Sequence, residues 1–279
     1  MMCWLLFHRE TLWQGRTMRI VVTVKHVPNP QSERRIENGR LVRGEEDTLN
    51  DLDENAIEAA LSAKAAVPDA EIIALTMGPE GAKKALLRAL QMGADQAYHL
   101  CDPALAGSDV TVTARVLARA IQKIRDVDLV ICGSSSLDGM TSMLPGALAA
   151  TLNLPVISDA SEVSFSGEGV AATSYQEGTA LSLRAKYPLV LSVNDEANRP
   201  HYPGFKEMLA AKKKLVQQWD LTQLGLSAEE VGAADSGTEV LDAQLYQQTK
   251  NQGTIVTDSA NAGEALAKYL VESGFAQEK

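Results

Sequence analysis

Residues 133–142 read Gly-Ser-Ser-Ser-Leu-Asp-Gly-Met-Thr-Ser and follow the apolar run Leu129-Val130-Ile131-Cys132. Small residues let a ligand approach the main chain, while free N–H groups, hydroxyls and a following helix N-terminus all favour an anion. The chemistry this suits is phosphate binding. Thr141 and Ser142 would supply hydroxyls, Asp138 would shape the turn, and Gly139 would permit close backbone approach. The loop is neither a Walker A segment nor GxGxxG, so an ordinary strand-to-helix turn stays open as the alternative. Ligands of open parallel sheets bind at strand carboxyl ends where the strand order reverses. Three loops leave such ends here, beginning at Lys25, at Met77-Gly78 and at Gly133.

No catalytic constellation accompanies these loops. His8, His26, His99 and His201 lack a paired Ser or Cys motif and read as structural or solvated. The acidic residues fall on helix faces without forming a general acid–base pair. Cys3, Cys101 and Cys132 are odd in number and far apart, without CxxC or Cys/His ligand spacing. That pattern argues against a disulfide framework or a zinc site and fits a reducing cytoplasm. Cys132, inside its strand-like run, reads as a small buried hydrophobe. Phe205, beside Pro203 and Gly204, has the setting of an interface anchor, with core burial as the alternative. Lys212-Lys213-Lys214 reads as a solvated helix end.

Elements must hold these loops. Arg19 to Val24 is a β-branched run of the kind buried on both sheet faces. Asn38-Gly39 marks a hairpin turn. Ala56, Ile57, Ala60 and Leu61 have helical spacing from Asp53, with Asp51 or Asp53 as N-cap and Pro68 beyond the end. Further strands are expected at Glu71–Thr76, Gln96–Leu100 and Asp128–Cys132. Helices are expected through Ala85–Leu90, over Val110–Ile124 and after Thr141. This alternation predicts an α/β fold with a doubly wound, mostly parallel, Rossmann-like sheet. Ser161 to Ala185 then reads as a small antiparallel section with tight turns, and Leu189–Val193 as another buried strand.

With 279 residues, 45% of them hydrophobic, the chain can bury a full core. A net charge of −10 argues against nucleic acid or an anionic membrane as partner. Residues 1–17 are too short for a membrane span and lack signal-peptide features. They read as a disordered extension before a start at Met18. No other segment reaches transmembrane length. The expected organisation is a nucleotide-binding α/β domain over 18–225 and a C-terminal arm and helix over 226–279.

Several segments, in order, resemble electron transfer flavoprotein beta subunits. Val24-Lys25-His26-Val27-Pro28 is similar to the family's opening strand, and Asn50-Asp51-Leu52-Asp53-Glu54-Asn55-Ala56 to its Asn-Pro-x-x-Glu-x-Ala segment. Met77-Gly78-Pro79 and Ala89-Leu90-Gln91-Met92-Gly93-Ala94-Asp95 match the next strand and helix. The longest match is Asn198-Arg199-Pro200-His201-Tyr202-Pro203-Gly204-Phe205 with the helix to Lys214, which resembles the family's recognition loop and Lys-rich helix.

The resemblance implies an electron carrier subunit with no catalytic residues of its own. It would pair with an alpha subunit holding the redox-active FAD and dock an acyl-CoA dehydrogenase or another flavin dehydrogenase. It also implies a bound adenine nucleotide, AMP or a second FAD, with AMP preferred. By position, the nucleotide contacts fall on Thr23, on Asn50, Asp51, Leu52 and Asp53, on Met77, and on Asp138, Gly139, Met140, Thr141, Ser142, Met143 and Leu144. Partner recognition falls on Tyr202, Pro203, Phe205, Lys206 and Lys212. Asp51 replaces the family's Pro, His201 its Arg, and Phe205 its Leu. Ser142-Met143-Leu144 replaces the Asn-Gln-Thr of AMP-only members. The runner-up is a stand-alone adenine-nucleotide-binding regulator resembling universal stress proteins, which would need neither the Phe205 loop nor the arm.

Overall fold

The computed structural model describes residues 16–37, 39–43, 46–245 and 261–276. The chain divides into two units, 1–243 and 244–279. The extension expected over residues 1–17 lies outside the description as far as residue 15. Arg16 is described, and its guanidinium donates 2.9 Å to the Asp128 carboxylate.

In the first unit the chain runs β1 (Arg19–Thr23), β2 (His26–Pro28), β3 (Ile36–Glu37), β4 (Arg40–Leu41), β5 (Asp47–Leu49) and α1 (Asp51–Ala66). It continues through β6 (Glu71–Met77), α2 (Lys83–Gln91), β7 (Gln96–Leu100), α3 (Val110–Ile124), β8 (Val127–Gly133) and α4 (Leu144–Leu152). After β9 (Val156–Ala160) come β10 (Glu162–Phe165), β11 (Gly169–Gln176), β12 (Thr179–Lys186), β13 (Leu189–Val193), α5 (Phe205–Ala211) and β14 (Val216–Trp219). The second unit contributes the helix Ala262–Glu272, none of whose residues is buried. Asn38, expected in a hairpin turn, is outside the described residues. Its partner Gly39 takes the left-handed φ of +71° between β3 and β4.

Seven strands form one sheet in the order β14-β7-β6-β1-β8-β13-β9, and every pairing is parallel. The chain moves outward from β1 to β6 and β7, then returns to β8 on the other side of β1. The order therefore reverses between β1 and β8, which places the ligand crevice of such a sheet there. Both faces are covered. Ile20, Val22, Ile72 and Ala74 pack under α1 and α2 with Ala56, Ile57 and Leu86. Val21, Ile73, Leu75 and Val130 pack under α3 and α4 with Val116, Leu117 and Leu148. This explains the unbroken apolar runs in the sequence, because alternate residues meet opposite helix layers.

β10, β11 and β12 form the expected antiparallel sheet. Two edge strands escaped the sequence reading, β9 and β14. Each is short and carries polar residues, the composition of a strand protected on one side only. Beyond residue 225 the chain stays packed on this unit. Val231 is buried in the core, and Asp109, the N-cap of α3, accepts 2.8 Å from Gly237 N.

Ile131 is fully buried at the centre of β8. Ile131→Ala should lower unfolding free energy by about 2–5 kcal/mol. Equilibrium urea denaturation should show a lower midpoint at unchanged slope.

Candidate functional site

The crevice is built from three pieces: the residues after β1, the first turn of α1, and the loop after β8. Helix α1 starts at Asp51 with Asn50 as N-cap, so neither Asp51 nor Asp53 has the capping role that spacing suggested. Both lie inside the first turn, where a carboxylate still favours the helix dipole. Asn50 is fully buried, and its side chain serves a distant loop instead of its own helix. Its Nδ2 donates 2.9 Å to Ser135 O, and its Oδ1 accepts 2.9 Å from Leu137 N. The backbone N–H of Asn50 donates to Lys25 O at 3.0 Å. One side chain thus ties the two strand-end loops together.

Asp53 lies directly below. Its Oδ2 accepts 2.7 Å from Lys25 N, and burial pushes its pKa from 3.8 to about 7 against the opposing hydrogen bonds of Asn50, Lys25 and Gly133. A Cβ on Gly133 would stand 2.5 Å from Asp53 Oδ1 and 2.8 Å from the Leu52 carbonyl carbon. β8 can end against α1 at this point only with glycine.

Asp138 meets two cations. Lys25 Nζ lies 2.9 Å from Oδ1, and Arg43 pairs with Oδ2. Burial alone would raise this carboxyl, but the bonds and charges of Lys25 and Arg43 hold it well below the usual carboxylate range. Lys25 Nζ also reaches Ser136 Oγ at 3.2 Å, and Arg34 donates 3.3 Å to Leu137 O. Beyond Asp138 the loop opens to solvent. Gly139, Met140, Thr141, Ser142 and Met143 are exposed, and Met140 and Ser142 take left-handed φ of 48° and 52°. Among the described residues, the N–H groups of Thr141, Ser142 and Met143 have no acceptor. Helix α4 follows at Leu144, with Pro145 in its first turn. Ser135 Oγ is buried without a partner. Three cations, free amides, an orphaned hydroxyl and a helix N-terminus fit the phosphate-bearing part of a nucleotide.

Not every expected residue joins this cluster. Thr23 is buried, and its side chain bonds the Cys132 thiol, whose pKa burial pushes up to about 12. Gly78 N donates 3.0 Å to Leu100 O, so that loop is tied to β7. Met77 is half-buried against the α3 side of the sheet. Conversely, Lys25, Arg34 and Arg43 were not singled out as ligand-site residues. Their only signal was three basic side chains around a short hairpin near the first strand's exit.

The second candidate region is the loop before α5. Tyr202 and Phe205 are 89% and 72% exposed, which removes the core-burial alternative for Phe205. Pro203 is half-buried, and Lys206 and Lys212 are exposed. Helix α1 braces this loop. Asn198 and Asn55 exchange amide bonds at 3.0 and 3.1 Å, and His201 Nδ1 lies 2.7 Å from Glu58 Oε2. Arg88 lies 5.9 Å from the Tyr202 ring centroid while bonding Glu54 at 2.8 Å.

A family model described as the electron transfer flavoprotein domain matches residues 39–224. The chain is 38% identical to the electron transfer flavoprotein subunit beta of Mycobacterium tuberculosis (strain ATCC 25618 / H37Rv), over 90% of this chain and 97% of that one. It is 30% identical to the subunit of the same name from Megasphaera elsdenii, over 93% and 99%. It is 34% identical to the caffeyl-CoA reductase-Etf complex subunit CarD of Acetobacterium woodii, over 86% and 92%. No described helix is long and apolar enough to cross a membrane.

Asp53 carries a pH signature. Its folded pKa lies above its ordinary value, so the contribution to stability is complete at acid pH and is lost as pH rises from about 4 through about 7. Relative to Asp53→Asn, the wild type should therefore lose stability across that window, by at most about 4 kcal/mol. Urea midpoints of both proteins between pH 4 and pH 8 test this, and parallel curves would count against it. The matched segments and the relatives lead to one conclusion: the chain belongs to the electron transfer flavoprotein beta-subunit family.

Proposed function

We propose that this chain is the nucleotide-binding subunit of a heterodimeric electron transfer flavoprotein. It would pass electrons from a docked flavin dehydrogenase to FAD held by an alpha subunit. The observation that carries the proposal is the convergence of Lys25, Arg43, Asn50 and Asp138 where the strand order reverses, beside a loop with free amides. In this reading an adenine nucleotide, AMP or a second FAD, lies across the ends of β1 and β8. The N–H groups of Thr141, Ser142 and Met143 receive its phosphate, and Lys25, Arg34 and Arg43 supply the positive potential. FAD supplies the redox chemistry when bound in the partner. This chain orients the nucleotide and presents a docking face, and the helix Ala262–Glu272 of the expected C-terminal arm packs on the alpha subunit. The exposed Phe205 and Tyr202 rings favour a docking subunit over a stand-alone regulator. The name of the Acetobacterium relative, a subunit of a caffeyl-CoA reductase complex, supports an acyl-CoA-directed flavoenzyme as the docking partner.

Asp138→Ala removes the carboxylate shared by Lys25 and Arg43. It should weaken nucleotide retention by about tenfold or more, equivalent to 1.4 kcal/mol. Nucleotide released from the purified heterodimer by acid and quantified by chromatography provides the readout. A wild-type complex without adenine nucleotide would overturn the site.

Burying a ring such as Phe205 in a partner pocket is worth roughly 1.5–3 kcal/mol. Phe205→Ala should slow reduction of the heterodimer by its dehydrogenase about tenfold, with assembly and nucleotide content unchanged. Stopped-flow absorbance measures the rate, and an unchanged rate would remove the ring from the docking face.

A further inference from the structure

We propose that Glu80, His99 and Cys101 form a binding site for a divalent cation of the zinc class. The three side chains offer one ligand atom each, and these atoms all lie within 4.8 Å of one another. Strand geometry assembles them. His99 and Cys101 are two residues apart at the end of β7, so they face the same side. β6 pairs in parallel with β7, Thr76 opposite His99 and Met77 opposite Leu100, and the chain leaving β6 turns at Gly78 to bring Glu80 over the pair.

The imidazole is set up as a ligand. His99 is fully buried, and its Nε2 lies 2.9 Å from Gly78 O. A carbonyl only accepts, so Nε2 carries the proton and Nδ1 carries the lone pair. Nδ1 is buried with no hydrogen-bond partner. A ring nitrogen donating to a backbone carbonyl while the other faces an open acceptor position is the arrangement of metal-bound histidines.

The other two ligands complement it. Cys101 Sγ lies 3.9 Å from Glu80 Oε2. Binding would form a metal–thiolate bond and release the thiol proton to solvent. With bond lengths of 2.0–2.3 Å, a tetrahedral zinc holds its ligand atoms roughly 3.3–3.8 Å apart. A contraction of about 1 Å closes the triad, and Glu80, its exposed member, can supply the movement. Water would fill the fourth position, because the neighbouring Asp102 carboxylate is engaged with Ala104 N at 2.9 Å. Lys83 pairs with Glu80 and is therefore the competitor that a cation must displace. The site uses none of the side chains of the Lys25–Asp138 cluster, so it stands or falls independently of nucleotide binding.

The full chain, stripped with a chelator, is titrated with Zn²⁺ by calorimetry and with Co²⁺ by absorption spectroscopy. One ion per chain is expected, with a thiolate-to-cobalt charge-transfer band. Cys101→Ser should abolish the band and weaken zinc at least tenfold, whereas Cys132→Ser should leave both unchanged. Glu80→Gln, a surface change that leaves the buried histidine alone, should weaken zinc, and Lys83→Ala should tighten it. Absence of zinc uptake, a band retained in Cys101→Ser, or zinc affinity unmoved by Glu80→Gln would each overturn the site.

Discussion

The contact between the end of β8 and the first turn of α1 constrains everything around the crevice. Gly133 leaves no room for a side chain against Leu52 and Asp53, so strand and helix meet backbone to backbone. That closeness brings Asn50 within reach of Ser135 and Leu137, and it buries the Asp53 carboxylate against Lys25 N. A chain entering so tight a junction must leave it outward. Residues 139–143 are accordingly exposed, with left-handed twists at Met140 and Ser142. The open loop is a consequence of the closed junction beneath it.

The same helix serves a second purpose at its outer face. Glu54, Asn55 and Glu58 follow Asp53 within two turns, and they hold Arg88, Asn198 and His201 respectively. Helical spacing puts Asp53 inward and Glu54 and Glu58 outward, one turn apart. A rigid helix anchored at the crevice therefore also braces the loop that presents Tyr202 and Phe205. Bracing matters energetically, since an aromatic ring held in place before binding loses little entropy when a partner covers it.

Much of this was legible in the sequence. The stretches Ile20–Val22, Ile72–Leu75 and Leu129–Cys132 are unbroken apolar runs because both sheet faces are covered, and alternation with amphipathic helices points to the parallel class. The loop after β8 stands out because small and polar residues follow its run directly. What was not legible depends on distance along the chain. Arg34 and Arg43 reach the loop at 137–138 across about a hundred residues, and no local spacing announces that. Spacing offers Asp51 or Asp53 as the cap of α1, and only the fold reveals that Asn50 holds that position with its amide committed to Ser135 and Leu137. Glu80, His99 and Cys101 escaped for the same reason: parallel register, not sequence spacing, brings the first to the other two.

The electrostatics of the crevice follow from local balance, not from total charge. The chain carries −10 overall, which by itself would repel a phosphate. Screening limits that field to about 8–10 Å at physiological salt, so the nearest groups decide. There, Lys25, Arg34 and Arg43 outnumber the ionised Asp138, while burial leaves Asp53 partly protonated near neutral pH. The local excess is positive. In the proposed reading, Asp138 does not cancel the site but prepares it. Its carboxylate fixes Lys25 and Arg43 in one place, so two flexible side chains are already ordered before an anion arrives. Removing that carboxylate would raise the net positive charge and still weaken anion binding, because the charges would no longer be held together.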